Sequence, residues 1–377
     1  MRRIVVAGSG KIGSTIADIL AVSGDYAVTV IDRSDEQLDG AELSSAVLRR
    51  RVDIEDEEAL GTVLSGAFAV LSAAPFHLTT RIAEAAARAN VHYLDLTEDV
   101  ASTRRVRDLA ASAESAFIPQ CGLAPGFISI VANDLASRFD SLESVRMRVG
   151  ALPQYPSNAL NYNLTWSTDG VINEYCEPCE AIVEGELIEV PPLEEREEFS
   201  LDGVTYEAFN TSGGLGTLAE TLKGKVRTLN YRTIRYPGHA AIMKTLLNDL
   251  RLRDRRGVLK DILERALPVT MQDVVIVFVT VSGVKGGRLV QQTYANRIYA
   301  TEIDGEPVSA IQVTTASAAC AVLDLLAQGA LPQSGLVRQE DIVLRDFLAN
   351  RFGRAYACAG MDGPGADLGT DILETAA

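Results

Sequence analysis

The chain has 377 residues, with 35 Lys and Arg against 51 Asp and Glu, a formal charge of −16, and 47% hydrophobic residues. At roughly 100–200 residues per domain this length suggests two domains, each able to bury a core. The surplus of acid excludes a protein that grips nucleic acid, because that binding needs clustered Lys and Arg to neutralise phosphates.

From the N-terminus to residue 122, short β-rich runs alternate with Ala-rich helical stretches, the pattern of a parallel sheet wound with helices on both faces. Strands are expected at 2–7, 26–31, 46–51, 68–72, 91–96 and 115–120. Helices are expected after Gly10 and at 56–65, 77–90 and 100–113. The fold class is therefore α/β, a Rossmann doubly wound parallel sheet over 1–122. At Cys121-Gly122-Leu123-Ala124-Pro125-Gly126 the rhythm stops, since Gly and Pro break both periodicities. A second, α+β domain over 123–312 opens with a helix at 127–139 and continues in strands. Hairpin signals at Glu184-Gly185, Asp202-Gly203 and Gly286-Gly287 imply a mixed or antiparallel sheet. Helices at 314–328 and 339–350, within 313–352, are expected to fold back onto the first domain, and 353–377 reads as a frayed, flexible tail.

The longest strongly apolar stretch, 274–281, is strand-sized, far short of the roughly 18 residues that cross a bilayer, so no membrane span is expected. Only four apolar residues follow Met1-Arg2-Arg3 before a Gly-rich turn, so no export signal is expected either. Five cysteines (121, 176, 179, 320 and 358) are few and odd in number, which points to the cytoplasm and away from a disulfide scaffold.

The strongest motif is Gly8-Ser9-Gly10-Lys11-Ile12-Gly13, lying between the first strand and the first helix. Gly8 makes the tight turn, Gly10 lets a pyrophosphate approach the backbone, and Gly13 lets helix and strand pack closely, with the helix N-terminus aimed at phosphate. Nineteen positions after Gly13, Asp32 ends the second strand, where an acid binds ribose hydroxyls and repels a 2′-phosphate. That favours NAD; Arg33 beside it leaves NADP as the alternative. Asp53 and Ile54, after the third strand, could edge the adenine, although Asp53 serves equally as a helix N-cap. Ala73, Ala74 and Pro75 end the fourth strand, where small residues let a cofactor pass.

Two patches carry candidate chemistry. Glu98 lies in an acid-rich segment after the fifth strand, where a carboxylate could attract an ammonium, although its neighbour Asp99 reads better as a helix cap. Tyr231 to His239 reads as a strand, a Pro-Gly turn and a helix start, with Arg235 suited to a carboxylate and His239 to proton transfer. Cys176-Glu177-Pro178-Cys179 has zinc-like spacing but lacks a second pair, so no metal is expected.

The chain resembles the saccharopine dehydrogenase family, and within it the lysine 6-dehydrogenase branch. The resemblance rests on G-S-G-K-I-G, Y-L-D-L-T-E-D from Tyr93, C-G-L-A-P-G-F from Cys121, I-N-E-Y from Ile172, E-A-F-N-T-S-G-G-L-G-T-L from Glu207 and T-I-R-Y-P-G-H from Thr233. It covers nearly the whole chain in order. Two positions depart from the family pattern: Ala151 stands where members often carry Gly, and Ala124 where the glutamate-forming reductases usually carry Asp. The resemblance implies oxidation of a CH–NH bond in a small amino-acid substrate such as lysine, saccharopine or a related amine. The reacting carbon would sit in a cleft between the domains. An exposed sheet edge or apolar face in the second domain would suit a homo-oligomer such as a homodimer. The resemblance implies His239 as base or proton relay, Arg235 on a substrate carboxylate, Glu98 drawing the amine, and Lys244 as a reserve base if burial lowers its pKa. A non-catalytic NAD-binding sensor is the competing class.

Overall fold

The structure, a computed structural model, describes residues 1–41, 43–303 and 305–357 together with the backbone of Leu373–Ala376. It divides into two compact units, Met1–Ile130 with Gln312–Ala357, and Val131–Ile311 with the strand Leu373–Ala376.

In the first unit, strands β1 (Arg2–Ala7), β2 (Tyr26–Asp32), β3 (Leu48–Arg51), β4 (Ala69–Ser72), β5 (His92–Asp95) and β6 (Ala116–Ile118) form one parallel sheet. Its order is β6-β5-β4-β1-β2-β3, and the two-residue strand Gly335–Leu336 is added beside β6. Ile4, Val5, Val6 and Ala7 are all buried, as expected of a central strand covered on both faces. Leu48 to Arg51 form the exposed edge, where three arginines discourage further pairing. A short helix that the sequence pattern did not suggest, Asp35–Gly40, follows β2, with Ser34 accepting from Gln37 N as its cap.

The C-terminal segment is integral to this unit. Its helix Ala310–Ala327 is long and apolar enough, at a mean hydropathy of 1.6, to cross a membrane, contrary to the sequence expectation, but 78% of it is buried inside the fold. Asp324 explains why a carboxylate sits on so apolar a helix. It accepts from Tyr26 Oη at 2.5 Å, Asn350 Nδ2 at 2.7 Å and Arg351 Nη2 at 2.8 Å, joining the start of β2 to the chain's last helical turns. The helix expected at 339–350 is broken: a 3-10 turn at Gln339–Asp341 and a helix at Leu344–Ala349 flank the extended pair Ile342-Val343. Gly353–Tyr356, expected to fray, is a further 3-10 turn with Tyr356 buried against Phe127 and Phe347 and its hydroxyl donating to Thr314 O at 2.7 Å. Residues 358–372 and 377 of the expected tail lie outside the described residues.

In the second unit, β7 (Ser141–Pro153), β8 (Cys179–Val183), β9 (Glu186–Val190), β10 (Glu197–Leu201), β11 (Val204–Asn210), β12 (Val226–Arg235), β13 (Asp273–Lys285) and β14 (Arg288–Tyr299) build a mixed sheet. The order is β10-β11-β12-β7-β13-β14, with β12 and β7 parallel and the other neighbours antiparallel. Leu373–Ala376 pairs with β14, and the β8-β9 hairpin attaches to β12. The three hairpin turns have positive φ at both central residues, 52° and 84° at Glu184-Gly185, as a two-residue turn matched to strand twist requires. The helices Thr168–Cys176 and Arg256–Ala266 contribute Val171, Ile172, Tyr175, Leu259 and Leu263 to one apolar cluster that also holds Tyr162 and Phe209.

Candidate active site

At the C-terminal end of β1 the fingerprint forms a cradle that only glycine can build. A Cβ on Gly13 would lie 2.0 Å from Gly8 O, and one on Gly8, whose φ is 107°, would lie 2.7 Å from Ala73 O. The following helix, Lys11–Val22, has Gly10 as its N-cap with no side chain closing it, so its first N–H groups face outward as an anion cradle. Lys11 is exposed and Ile12 half-buried there. Asp32 ties this loop to β2: Oδ2 accepts from Ser9 N at 3.1 Å and Ser9 Oγ at 3.0 Å, and Oδ1 from Ser34 N at 3.1 Å. The carboxylate is thus held at the edge of the phosphate loop, and it remains only partly buried. The cradle and the fixed acid fit a dinucleotide.

The other positions proposed for the cofactor divide. Ala73 and Ala74 line the turn beneath Gly8, with Pro75 exposed beyond them. Arg33 is exposed, and its carbonyl accepts from Arg51 Nε at 3.2 Å. Ile54 is buried in the core, packed away from solvent, so it is a core residue and not an adenine edge. Asp53 is exposed and accepts from Glu55 N, while Asp56 caps the helix Glu57–Leu64.

After β5, Asp95 is fully buried, its Oδ1 accepting from Thr97 N and Gln120 N and its Oδ2 from Tyr93 Oη. Burial pushes its carboxyl up to about 6. Asp99 caps the helix Val100–Ala110 by accepting from Ser102 N at 2.7 Å. Glu98, between them, is half-buried, and desolvation, aided by the nearby Asp99 and Asp95 charges, raises its carboxyl above the usual range. Of the other histidines, His77 sits in the first turn of a helix and His92 Nδ1 accepts from Ala116 N at 2.9 Å, a structural bond between β5 and β6.

In the second unit, Arg235 ends β12, the turn through Gly238 follows, and His239 begins the helix His239–Lys244. Glu207 on β11 closes that helix, accepting from Gly238 N at 3.1 Å and Ala240 N at 2.7 Å. His239 is buried, and its Nδ1 lies 2.9 Å from Leu160 O. A carbonyl only accepts, so Nδ1 carries the proton and Nε2, 3.1 Å from Tyr175 Oη, is the acceptor. Tyr175 Oη in turn accepts from Arg235 Nε at 3.0 Å. Arg235, Tyr175, His239 and Leu160 therefore form one closed chain in the interior.

This chain changes the roles read from sequence. Burial, then the Arg235 charge, lowers His239 to about 3, and both ring nitrogens are engaged. His239 is a neutral acceptor that orients Tyr175, with no lone pair left for a ligand, so it does not suit the part of free base. Lys244 is not buried: its Nζ pairs with Glu194 at 2.7 Å and its side chain is 38% exposed, the opposite of what a base role requires. Arg235 is 3% exposed, with Nη1 donating to Ile234 O, and among the described residues it forms no ion pair. Tyr175, which links Arg235 to His239, is the side chain that residue type and spacing did not reveal; only its place in I-N-E-Y marked it. Cys176 and Cys179 are buried thiols, burial raising the second to about 12, and among the described residues no metal cluster forms.

Comparisons with known proteins accord with this geometry. The family model described as the saccharopine dehydrogenase NADP binding domain matches residues 4–118, and that for the saccharopine dehydrogenase C-terminal domain matches 122–353. The chain is 24% identical over 177 residues to the NADP-dependent, L-glutamate-forming saccharopine dehydrogenase of Saccharomyces cerevisiae, over 45% of this chain and 40% of that one. It is 20% identical over 196 residues to the mitochondrial alpha-aminoadipic semialdehyde synthase of Rattus norvegicus, over 50% of this chain and 21% of that one. The matches thus span less than half the length of these curated relatives. A crystallographic relative, the apo yeast saccharopine dehydrogenase, superposes with a TM-score of 0.75 at 16% identity, covering 92% of this chain and 96% of that one, and so shares the fold. The chain belongs to the saccharopine dehydrogenase family, and residues 4–118, within its first unit, are that family's NAD(P)-binding domain.

Proposed function

We propose that the protein is an NAD(P)-dependent dehydrogenase that oxidises the nitrogen-bearing carbon of an amino acid, with the 6-amino group of L-lysine as first candidate: hydride leaves that carbon for the nicotinamide, and water hydrolyses the resulting imine to the 6-semialdehyde and ammonia. The observation that carries this reading is Arg235. Its buried guanidinium donates to Tyr175 Oη and to a backbone carbonyl, forms no ion pair among the described residues and feels the charge of Glu174, and an amino-acid substrate brings a carboxylate suited to it. Saccharopine oxidised to the same aldehyde and glutamate is the second reading, supported by the names of the curated relatives. Ala124, in place of the Asp usual in the glutamate-forming enzymes, favours lysine.

When bound, the dinucleotide supplies the hydride acceptor. The chain's own residues do the rest. The glycine cradle and the open helix end hold the pyrophosphate, and Asp32, fixed by Ser9 and Ser34, takes the ribose hydroxyls and disfavours a 2′-phosphate, which supports NAD over NADP. An ammonium cannot release hydride until it loses a proton from a pKa near about 10.4. In the second unit Arg235 is the group suited to a substrate carboxylate, and His239, through Tyr175, keeps it in place; in the first unit Glu98 carries a carboxyl raised by burial, suited to taking up a proton. Four unpaired cysteines among the described residues suit a cytoplasmic enzyme.

The test is to incubate the protein with NAD or NADP and either lysine or saccharopine, following reduced cofactor by absorbance and ammonia or glutamate as product. Lysine with NAD should give the larger kcat/KM. Absence of reduction with every amine offered would leave the sensor reading.

A further inference from the structure

The turn that carries Glu98 is held by a ring of hydrogen bonds that the proposed reaction has not yet used. Asp95, fully buried at the carboxyl end of β5, accepts on one oxygen, Oδ1, from Thr97 N at 3.0 Å and from Gln120 N at 2.9 Å. A single atom thus joins the turn after β5 to the turn after β6, at the edge of a parallel sheet where ligands enter. The main-chain oxygen of Asp95 adds a third tie, from Cys121 N at 2.7 Å, and Tyr93 Oη fills Oδ2 at 2.9 Å. The ring closes on its far side: Gln120 Nε2 donates to Thr103 Oγ1 at 3.2 Å, Thr103 Oγ1 to Asp99 O at 2.9 Å, and Asp99 N to Thr97 Oγ1 at 3.1 Å. Gln120 meets it with a φ of 65°, a left-handed conformation that residues other than glycine rarely adopt and that persists where the surroundings fix it. Of the polar residues from 95 to 99, only Glu98 contributes no side-chain atom to the ring or to the helix cap.

Fold stability does not account for a carboxyl at this point. Its three donors are uncharged, and burial raises it to about 6, so the ion present at neutral pH destabilises the fold where Asn would not. A local rule broken in this way marks a functional site. The titratable groups that feel the Asp95 charge are Tyr93 on its own strand, Glu98 in the next turn, where Asp99 acts in the same sense, and Cys121 after β6; each is pushed towards its protonated form. We propose that Asp95 is the positioning residue of Glu98, fixing the turn that presents the Glu98 carboxyl by tying it to the turn after β6. The tie sets where the proton goes, and the Asp95 charge, of the same sign as that of Glu98, makes the Glu98 carboxyl hold a proton more firmly. The role rests on Glu98 as the proton acceptor of the dehydrogenase reading, whereas the tie itself is a property of the first unit.

Three variants of the intact protein separate the tie from the charge. Asp95→Ala removes both, Asp95→Asn keeps an oxygen for Thr97 N and Gln120 N without the charge, and Thr103→Val opens the far side of the ring with Asp95 in place. Backbone amide exchange followed by mass spectrometry reads the tie without turnover: in Asp95→Ala the amides of Thr97 and Gln120 should exchange about tenfold faster or more, and in Asp95→Asn they should not. With the amine that is oxidised, Asp95→Ala should lower kcat about tenfold or more and Thr103→Val about threefold, while NAD affinity, set at β1 and β2, changes less than about twofold. Asp95→Asn should restore most of the kcat lost in Asp95→Ala, with the acid limb of kcat/KM moved about half a unit to lower pH, a shift that a purely structural role would not produce. Unchanged exchange in Asp95→Ala overturns the tie. Unchanged kcat in Asp95→Ala and Thr103→Val, or an Asp95→Asn as impaired as Asp95→Ala, overturns the positioning role. Should thermal melting show that Asp95→Ala does not fold, Thr103→Val decides, and an unchanged kcat there overturns the proposal. Full turnover in Glu98→Gln would refute Glu98 as the proton acceptor and leave the tie standing, whereas turnover lost in Glu98→Gln and kept in Asp95→Ala would refute the positioning role alone.

Discussion

Replacing Tyr175 by Phe removes a single oxygen atom, yet that atom completes two hydrogen bonds in the buried interior. Its loss leaves Arg235 Nε–H without its acceptor at 3.0 Å and His239 Nε2 without its donor at 3.1 Å, both in residues no more than 3% exposed. A buried polar group left unsatisfied costs about 1–3 kcal/mol, and more when it is charged, so the pair should destabilise the second unit by about 3–4 kcal/mol. At a denaturant dependence of about 2 kcal/mol per molar urea, the unfolding midpoint should fall by about 1.5–2 M. Trp166 lies in the second unit and is the sole tryptophan, so its emission follows that unit even where the two units unfold separately. Tyr155→Phe, at a tyrosine 73% exposed, should shift the midpoint by less than about 0.25 M, or about 0.5 kcal/mol. If Tyr175→Phe shifts it by less than about 0.5 M, the closed chain through Tyr175 does not hold this part of the molecule together.

The remaining predictions concern charge. His239 falls from 6.5 to about 3 on folding, so the neutral form is the folded one: its contribution is fully present above pH 6.5 and is lost as pH drops towards 3, amounting to about 4–5 kcal/mol. His239→Gln should flatten the acid limb of second-unit stability measured by Trp166 emission, and an unchanged limb counts against the assignment. Asp95 shifts the other way, from 3.8 to about 6, so its contribution is complete below pH 4 and is lost as pH rises through 6, by about 3 kcal/mol. Asp95→Asn keeps an oxygen for Thr97 N and Gln120 N and should make the first unit more stable at pH 8, where Asp95 is ionised; equal melting temperatures at pH 8 would show that burial does not penalise the Asp95 charge. Asp32→Ala should weaken NAD at least tenfold in a binding titration while narrowing the gap to NADP, and unchanged NAD affinity would remove Asp32 from the ribose site.

The sheet of the first unit was legible because buried parallel strands are written as continuous apolar runs, of which Ile4 to Ala7 is the plainest case. The hairpins of the second unit were legible for a different reason: Glu184-Gly185 and Asp202-Gly203 supply the positive φ values the turns demand. Roles that depend on what a side chain meets after folding were not legible. His239 looked like a base because its position at a helix start hid the carbonyl of Leu160 and the phenol of Tyr175, 79 and 64 residues away. Lys244 was offered as a reserve base because Glu194, fifty residues earlier, gives no local signal of pairing.

Asp324 and the turn around Tyr356 give the molecule a particular order of birth. The first unit closes only when residues 312–357 arrive, after roughly 180 residues of the second unit have been made. At about 5–20 residues per second, the nascent cofactor half waits on the order of 10–40 s for its missing helix on the ribosome. During that interval the phenol of Tyr26 lacks Asp324, and the ring of Phe127 lacks Phe347 and Tyr356. The substrate half, contiguous over 131–311, can fold in that window, so synthesis runs from an unfinished first unit through a complete second one and ends by sealing the first.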